Sequence, residues 1–209
     1  MTTERRSASP RPAVQRGARS RVLRIIGGTW RGRRLRFPAS AALRPTPDRV
    51  RETLFNWLGG RVVGARCLDL FAGSGALGLE ALSRGAARVL FIEHQPAAAR
   101  ELAKLVVEWG AREAGEVRRD DALRFLNGPA EPFDLVFLDP PFDTDLASRA
   151  AVRLEAGGWL ADRALIYLES AARAGIPAMP AGWTMLKGKS AGEVGYHLFE
   201  RVTRVAPPQ

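Results

Sequence analysis

The chain is poor in thiols, imidazoles and lysine, and each shortage excludes something. One cysteine, Cys67, and two histidines, His94 and His197, occur in 209 residues. A lone cysteine makes no disulfide framework, and histidines so far apart show no ligand spacing, so no metal site is encoded. Cys67 lies inside an apolar run and reads as a small buried hydrophobe, suited to a reducing cytosol. No apolar run approaches the roughly 20 residues of a membrane-spanning helix, and the N-terminus carries no apolar signal segment. Acidic residues are scarce at the front. Residues 1–60 hold 14 arginines against 3 acidic residues, whereas 61–209 hold 18 basic and 19 acidic ones. The entire net charge of +10 therefore belongs to the front. Lysine is nearly missing, with 3 against 29 arginines, a preference that coding bias alone can produce.

What is present is a globular body with a basic appendage. A hydrophobic content of 46% supports a sizeable core. Residues 1–20 lack periodicity and large apolar side chains, and read as a disordered basic arm. Their Arg/Ser-rich, acid-poor character also resembles a transit peptide. The arm is preferred, because the basic character runs on into patterned sequence. Residues 21–60 read as an RNA-binding extension. A basic hairpin over 22–37 turns at Gly27-Gly28. A rigid linker, Leu43-Arg44-Pro45-Thr46-Pro47, follows it. Thr46 is expected to N-cap a helix with Pro47 at its first position, running through Val50, Leu54 and Trp57 to Gly59-Gly60. A basic front on a neutral body is an electrostatic footprint for phosphate backbones, with Arg24, Arg31, Arg33, Arg34, Arg36 and Arg44 as its contacts. Each of these arginines can equally be a solvated charge. Trp30 is expected to pack the hairpin on the body rather than stack on RNA. Lys187 and Lys189, assigned to a late hairpin turn, are weaker candidates.

The body, 61–204, alternates strand and helix. Strands are predicted at 66–71, 87–93, 115–119, 133–138, 163–169, 183–187 and 194–200, and helices at 75–84, 96–109, 121–127 and 145–156. This pattern predicts an α/β fold, mostly parallel, with helices on both faces. The last two strands leave no room for a helix between them and should form an antiparallel hairpin.

Two motifs carry chemistry. After the strand Cys67-Leu68-Asp69-Leu70-Phe71 comes Ala72-Gly73-Ser74-Gly75-Ala76-Leu77-Gly78, which opens a helix. Gly73, Gly75 and Gly78 have the spacing of a nucleotide-binding turn, and Glu93, ending the next strand, is placed for ribose hydroxyls. The loop alone admits NAD or S-adenosylmethionine. Asp69 favours the second, since its charge suits an ammonium group and opposes a pyrophosphate. No Tyr-Lys pair or His-Asp pattern for hydride transfer is evident either. The second motif is Asp139-Pro140-Pro141-Phe142, at the end of the apolar run 133–138. Two prolines stiffen the loop and remove N–H donors, leaving carbonyl acceptors beside a carboxylate and a flat ring. That combination suits a base carrying an exocyclic amine. An ordinary turn uses the same residues.

The chain also resembles a known family. Arg24-Ile25-Ile26-Gly27-Gly28, Leu43-Arg44-Pro45-Thr46, the block 48–58, the block 68–84 and Asp139-Pro140-Pro141-Phe142 are similar to the signatures of RsmD, which methylates N2 of one guanine in 16S rRNA. The resemblance extends through Gly158-Trp159-Leu160-Ala161-Asp162 and the block 164–170. It implies a seven-stranded Rossmann-like class I methyltransferase fold, S-adenosylmethionine as donor, and a small-subunit particle or assembly intermediate as substrate; separately, a monomer is expected. By position it assigns Asp69, Phe71, Ala72, Gly73, Gly75, Gly78 and Glu93 to the methionine part and ribose. Asp121 with Ala122 would read the adenine edge, with Asp120 competing. Asp139, Pro140, Pro141 and Phe142 would hold the guanine. Rival readings are an adenine-N6 or cytosine-N4 methyltransferase of DNA, a non-catalytic ribosome-assembly factor, and an NAD dehydrogenase.

Overall fold

A computed structural model describes residues 20–38, 46–142 and 144–202. The expected basic arm and the linker arginine Arg44 lie outside the described residues. Two antiparallel strands, β1 (Ser20–Arg24) and β2 (Arg34–Pro38), form the basic hairpin, and α1 (Asp48–Leu58) follows. The body then runs β3 (Arg66–Asp69), α2 (Ala76–Ser83), β4 (Arg88–Ile92), α3 (Pro96–Glu108), β5 (Gly115–Arg118), α4 (Ala122–Phe125), β6 (Phe133–Leu138), α5 (Leu146–Ala156), β7 (Leu160–Ala171), β8 (Trp183–Ala191) and β9 (Val194–Arg201). The sheet order is β5-β4-β3-β6-β7-β9-β8. Pairs from β5 to β7 are parallel, and β9 runs antiparallel to both β7 and β8. This is the expected class I methyltransferase architecture. The order reverses between β3 and β6, and in open α/β sheets such a switch point leaves a crevice at the strand C-termini.

Period-two alternation splits the core between the two faces. Cys67, Val89, Leu135 and Phe137 pack with α1, α2 and α3, while Leu68, Leu90, Val136 and Leu138 pack with α4 and α5. The hairpin obeys the same rule. Leu35 and Phe37 are buried. Arg24, Arg34 and Arg36 are exposed, and Arg24 pairs with Arg34 across the ladder.

Three local expectations are corrected. Gly27-Gly28 is not a two-residue hairpin turn. The ladder continues through Ile25 N–H to the Arg33 carbonyl at 2.9 Å and Gly32 N–H to the Ile25 carbonyl at 2.9 Å. The glycines instead lie against the end of α2. There Thr29 N–H reaches the Ser83 carbonyl at 2.7 Å, and Ser83 Oγ donates to the Gly27 carbonyl at 2.6 Å. Gly28 has φ +75°, and a Cβ would stand 1.8 Å from the Ser83 carbonyl oxygen, so only glycine fits. Thr46 does not cap α1, whose N-cap position is Pro47; its hydroxyl is drawn to buried carboxylates instead. Lys187 and Lys189 lie within β8, on the sheet edge, not in a turn.

The hairpin, α1 and α2 meet at one buried ion pair. Arg51 and Glu80 both have fully buried side chains and approach to 3.3 Å. Glu80 also accepts from Ile26 N–H and Gly27 N–H, each at 2.8 Å, and from Arg84 Nε at 2.8 Å. Arg51 donates further to the Arg24 carbonyl at 2.8 Å and to Asp48 at 2.6 Å. Breaking such a pair from one side leaves the other charge stranded, which typically costs about 3–5 kcal/mol. Glu80→Ala should therefore lose about 3–5 kcal/mol in denaturant unfolding. A loss below about 1 kcal/mol would show that the pair holds nothing together.

Candidate active site

A cavity of about 990 Å³ opens at the C-terminal ends of the parallel strands. Its wall is built from the segments that follow successive strands: Asp69–Gly73 after β3, Glu93–Gln95 after β4, Asp120–Ala122 after β5, Asp139–Phe142 after β6 and Ala171–Arg173 after β7. Gly192 and Glu193 from the β8–β9 turn and Phe37 and Thr46 from the N-terminal extension complete it. The glycine loop and the Asp139-Pro140-Pro141-Phe142 loop thus face one space.

The glycines divide their roles. Gly73 lines the cavity, and its N–H donates to Glu93 at 2.8 Å. Gly75 and Gly78 stay out of the wall. Gly75 has φ +76°, and a Cβ would meet Leu102 at 2.3 Å; one on Gly78 would meet Phe91 at 2.2 Å. These two let the turn form and let α2 lie close on the sheet. Glu93 is 5% exposed and accepts from Gln95 N–H at 2.6 Å as well. Each carboxylate oxygen has two lone pairs, so acceptor capacity for hydroxyls remains. Asp121 caps α4 by accepting from Arg124 N–H at 2.9 Å. Asp120 pairs with Arg124 and accepts from Asp121 N–H at 2.7 Å. These bonds occupy one oxygen of each carboxylate, and both residues line the wall.

Asp69 is 2% exposed and accepts from Gly78 N–H at 3.0 Å. Burial pushes its carboxyl up to about 7, helped by the charges of Glu93 and Glu169 and opposed by the Gly78 bond. Asp139 is raised well above the usual carboxylate range, first by burial, then by Glu169 and Asp69. Behind it stands Glu169, at the end of β7 and 2% exposed. Its Oε1 accepts from Thr46 at 2.7 Å and from Tyr167 at 2.8 Å, and Thr46 Oγ1 also lies 3.5 Å from Asp139. In the loop, Thr144 donates to the Pro141 carbonyl at 2.7 Å, Pro140 is buried and Phe142 is half-buried. A wall this rich in oxygen acceptors suits a ligand that presents donors, whether ammonium, hydroxyl or amine.

The arginines expected to touch RNA fall in two groups. Arg24, Arg34 and Arg36 share the outer hairpin face, while Arg31 and Arg33 lie in its connection, and all five are exposed. Arg33 lies over the Trp109 ring at 5.6 Å. Trp30 packs edge-on against Trp109 at 5.3 Å, as expected of a packing residue. Sequence reasoning missed Phe37, Glu169 and Tyr167 and misassigned Thr46. One signal was available for Glu169: a carboxylate closing the apolar run Leu165-Ile166-Tyr167-Leu168, at the end of a parallel strand, where ligands bind.

Residues 23–200 match the family described as "Conserved hypothetical protein 95". The "Ribosomal RNA small subunit methyltransferase D" of Escherichia coli K12 is 51% identical over 179 residues, covering 86% of this chain and 90% of that protein. The protein of the same name from Haemophilus influenzae is 46% identical, covering 85% of this chain and 93% of its own length. A solved structure described as "Putative methyltransferase yhhF from Escherichia coli" superposes with a TM-score of 0.82 at 48% identity, covering 88% of this chain and 99% of that one.

The raised carboxyl of Asp69 predicts a pH effect of defined sign. Its unfolded-state value is near 3.9 and its folded value about 7, so the folded state holds more protons between them. The stability contribution is full below about pH 4 and is lost as pH rises through about 7. Asp69→Asn should flatten the decline in melting temperature between about pH 5 and 7.5. An equal decline in both proteins would refute the burial effect.

Proposed function

Because the chain belongs to the ribosomal RNA small subunit methyltransferase D family, we propose that it transfers a methyl group from S-adenosylmethionine to the exocyclic N2 amine of one guanine in 16S rRNA. Methyl transfer to small-subunit ribosomal RNA follows from family membership. The choice of amine is carried by one observation: the Asp139-Pro140-Pro141-Phe142 acceptor wall shares its cavity with the glycine loop.

The residues fit the cofactor. Buried Asp69 answers an ammonium group, Phe71, Ala72 and Gly73 lie along the methionine part, and Glu93 takes ribose hydroxyls. Asp121, or Asp120, with Ala122 meets the adenine edge. When bound, S-adenosylmethionine supplies an electrophilic methyl group on a sulfonium centre. The chain's own work is alignment, an effect worth several kcal/mol. The guanine N2 lone pair is delocalised into the ring, so the amine is a weak nucleophile. Asp139 and the Pro140 carbonyl accept its N–H groups and turn its lone pair toward the methyl, and Phe142 stacks on the base. A base must leave its stack to enter such a cavity, which favours a loop guanine over a paired one. Arg24, Arg31, Arg33, Arg34 and Arg36 grip phosphates and set register without reading sequence. The substrate is the small-subunit particle or its assembly intermediate, and the enzyme acts as a monomer.

Asp139→Ala should lower the single-turnover methylation rate by about 100-fold or more, with cofactor affinity within about threefold of wild type. Wild-type rates in that variant would remove Asp139 from the chemistry. Replacing Arg24, Arg34 and Arg36 with Gln should weaken particle binding. The slope of log K against log salt should fall by about 0.7–0.9 for each phosphate no longer neutralised. An unchanged slope would move the footprint elsewhere.

A further inference from the structure

Glu169 is a carboxylate that the chemistry above leaves unused. It is 2% exposed, and its bonding partners are hydroxyls rather than cations: Thr46 at 2.7 Å and Tyr167 at 2.8 Å, both on Oε1. A buried carboxylate held only by hydroxyls is costly, and a second, partly buried carboxyl beside it makes charging both harder still. The neighbour is Asp139, reached through Thr46 Oγ1, which stands 3.5 Å from Asp139 Oδ2. A threonine hydroxyl has one proton to donate and lone pairs to accept, so it can bridge a charged carboxyl and a neutral one.

We propose that Glu169 is a positioning residue for Asp139, sharing a single proton with it through the Thr46 hydroxyl. This rests on the methyl-transfer reading of the cavity. When the amine docks, the shared proton sits on Glu169 and Asp139 carries the negative charge that accepts the N–H. Once the new N–C bond has formed, the N–H bond breaks with its electron pair staying on nitrogen, and the proton goes to Asp139. One of the two protons then leaves to water as product departs. The titratable groups facing this pair are Asp69 from β3, Tyr167 from β7 and, beyond it, Tyr196 from β9. Burial raises both carboxyls, and Glu169 raises Asp139 further.

Glu169→Gln separates this role from a structural one. Glutamine keeps an oxygen that accepts from Thr46 and Tyr167, but it holds no shared proton. In single-turnover methylation of unmodified small-subunit particles, Glu169→Gln should lower kcat about tenfold. KM and cofactor affinity should stay within about twofold, and the acid limb of the pH–rate profile should move to lower pH. Thr46→Val removes the bridging hydroxyl, whose hydrogen bond favours the charged form of Asp139, so it should move the limb to higher pH, and it serves if Glu169→Gln folds poorly. Carboxyl 13C NMR supplies a readout independent of activity. Asp139 should titrate about one pH unit lower in Glu169→Gln than in wild type. Identical Asp139 titration in the two proteins, or an unmoved acid limb, would overturn the shared proton. Wild-type protein that shows the NMR coupling yet transfers no methyl group would instead defeat the methyl-transfer reading.

Discussion

A single buried ion pair, Arg51 with Glu80, joins the N-terminal extension to the catalytic body. Neither side chain is exposed, and the charges are tolerated because backbone groups surround them. Glu80 takes two N–H groups from the Gly27 turn, and Arg51 gives to the Arg24 carbonyl. Glu80 sits on α2, the helix that the glycine loop opens, so the basic hairpin is fastened to the element that shapes the cofactor end of the cavity. With the extension held there, Phe37 and Thr46 reach the cavity wall. A freely hinged RNA-binding arm could not contribute wall residues in this way. The same attachment fixes the distance between the arginine face and the reaction centre, which alignment chemistry requires.

The sheet topology supplies the electrostatics. Reversal of strand order at β3 and β6 brings four carboxyl side chains, Asp69, Glu93, Asp139 and Glu169, to the ends of four adjacent parallel strands. In water a carboxyl group is ionised at neutral pH. Asp69 and Glu169 are buried and Asp139 is partly buried; all three are raised, and Asp69 is pushed up to about 7. The result is a cavity whose strand ends are lined with carboxyl acceptors, the partners that the proposed cofactor and amine-bearing base call for. On the proposed function, phosphate contacts fall to the exposed arginines of the outer hairpin.

Much of this was legible in the amino-acid sequence. The seven body strands and their flanking helices follow from apolar runs alternating with helical periods, and the antiparallel end from the short gap before Val194. The glycine loop and the Asp139-Pro140-Pro141-Phe142 loop were recognisable because backbone constraints write them into residue type. Long-range side-chain choices were not legible. Thr46 before Pro47 has every local mark of a helix cap, yet its hydroxyl goes to Glu169, a residue 123 positions away. Local rules cannot weigh a buried carboxylate that needs a donor. Gly27-Gly28 looks like a hairpin turn for the same reason: the demand for two small residues comes from Ser83 on α2, not from the strands it joins. Nor does the glycine spacing show that a Cβ on Gly75 or Gly78 would run into Leu102 or Phe91 in the packing of α2.

As proposed, the cavity methylates the N2 amine of one guanine. The most direct test is transfer of labelled methyl from S-adenosylmethionine to small-subunit particles that lack the modification, followed by nuclease digestion and mass spectrometry of the product. The predicted result is label on N2-methylguanosine at one position of 16S rRNA. Label on adenosine or cytidine, or none on the particle, would contradict it.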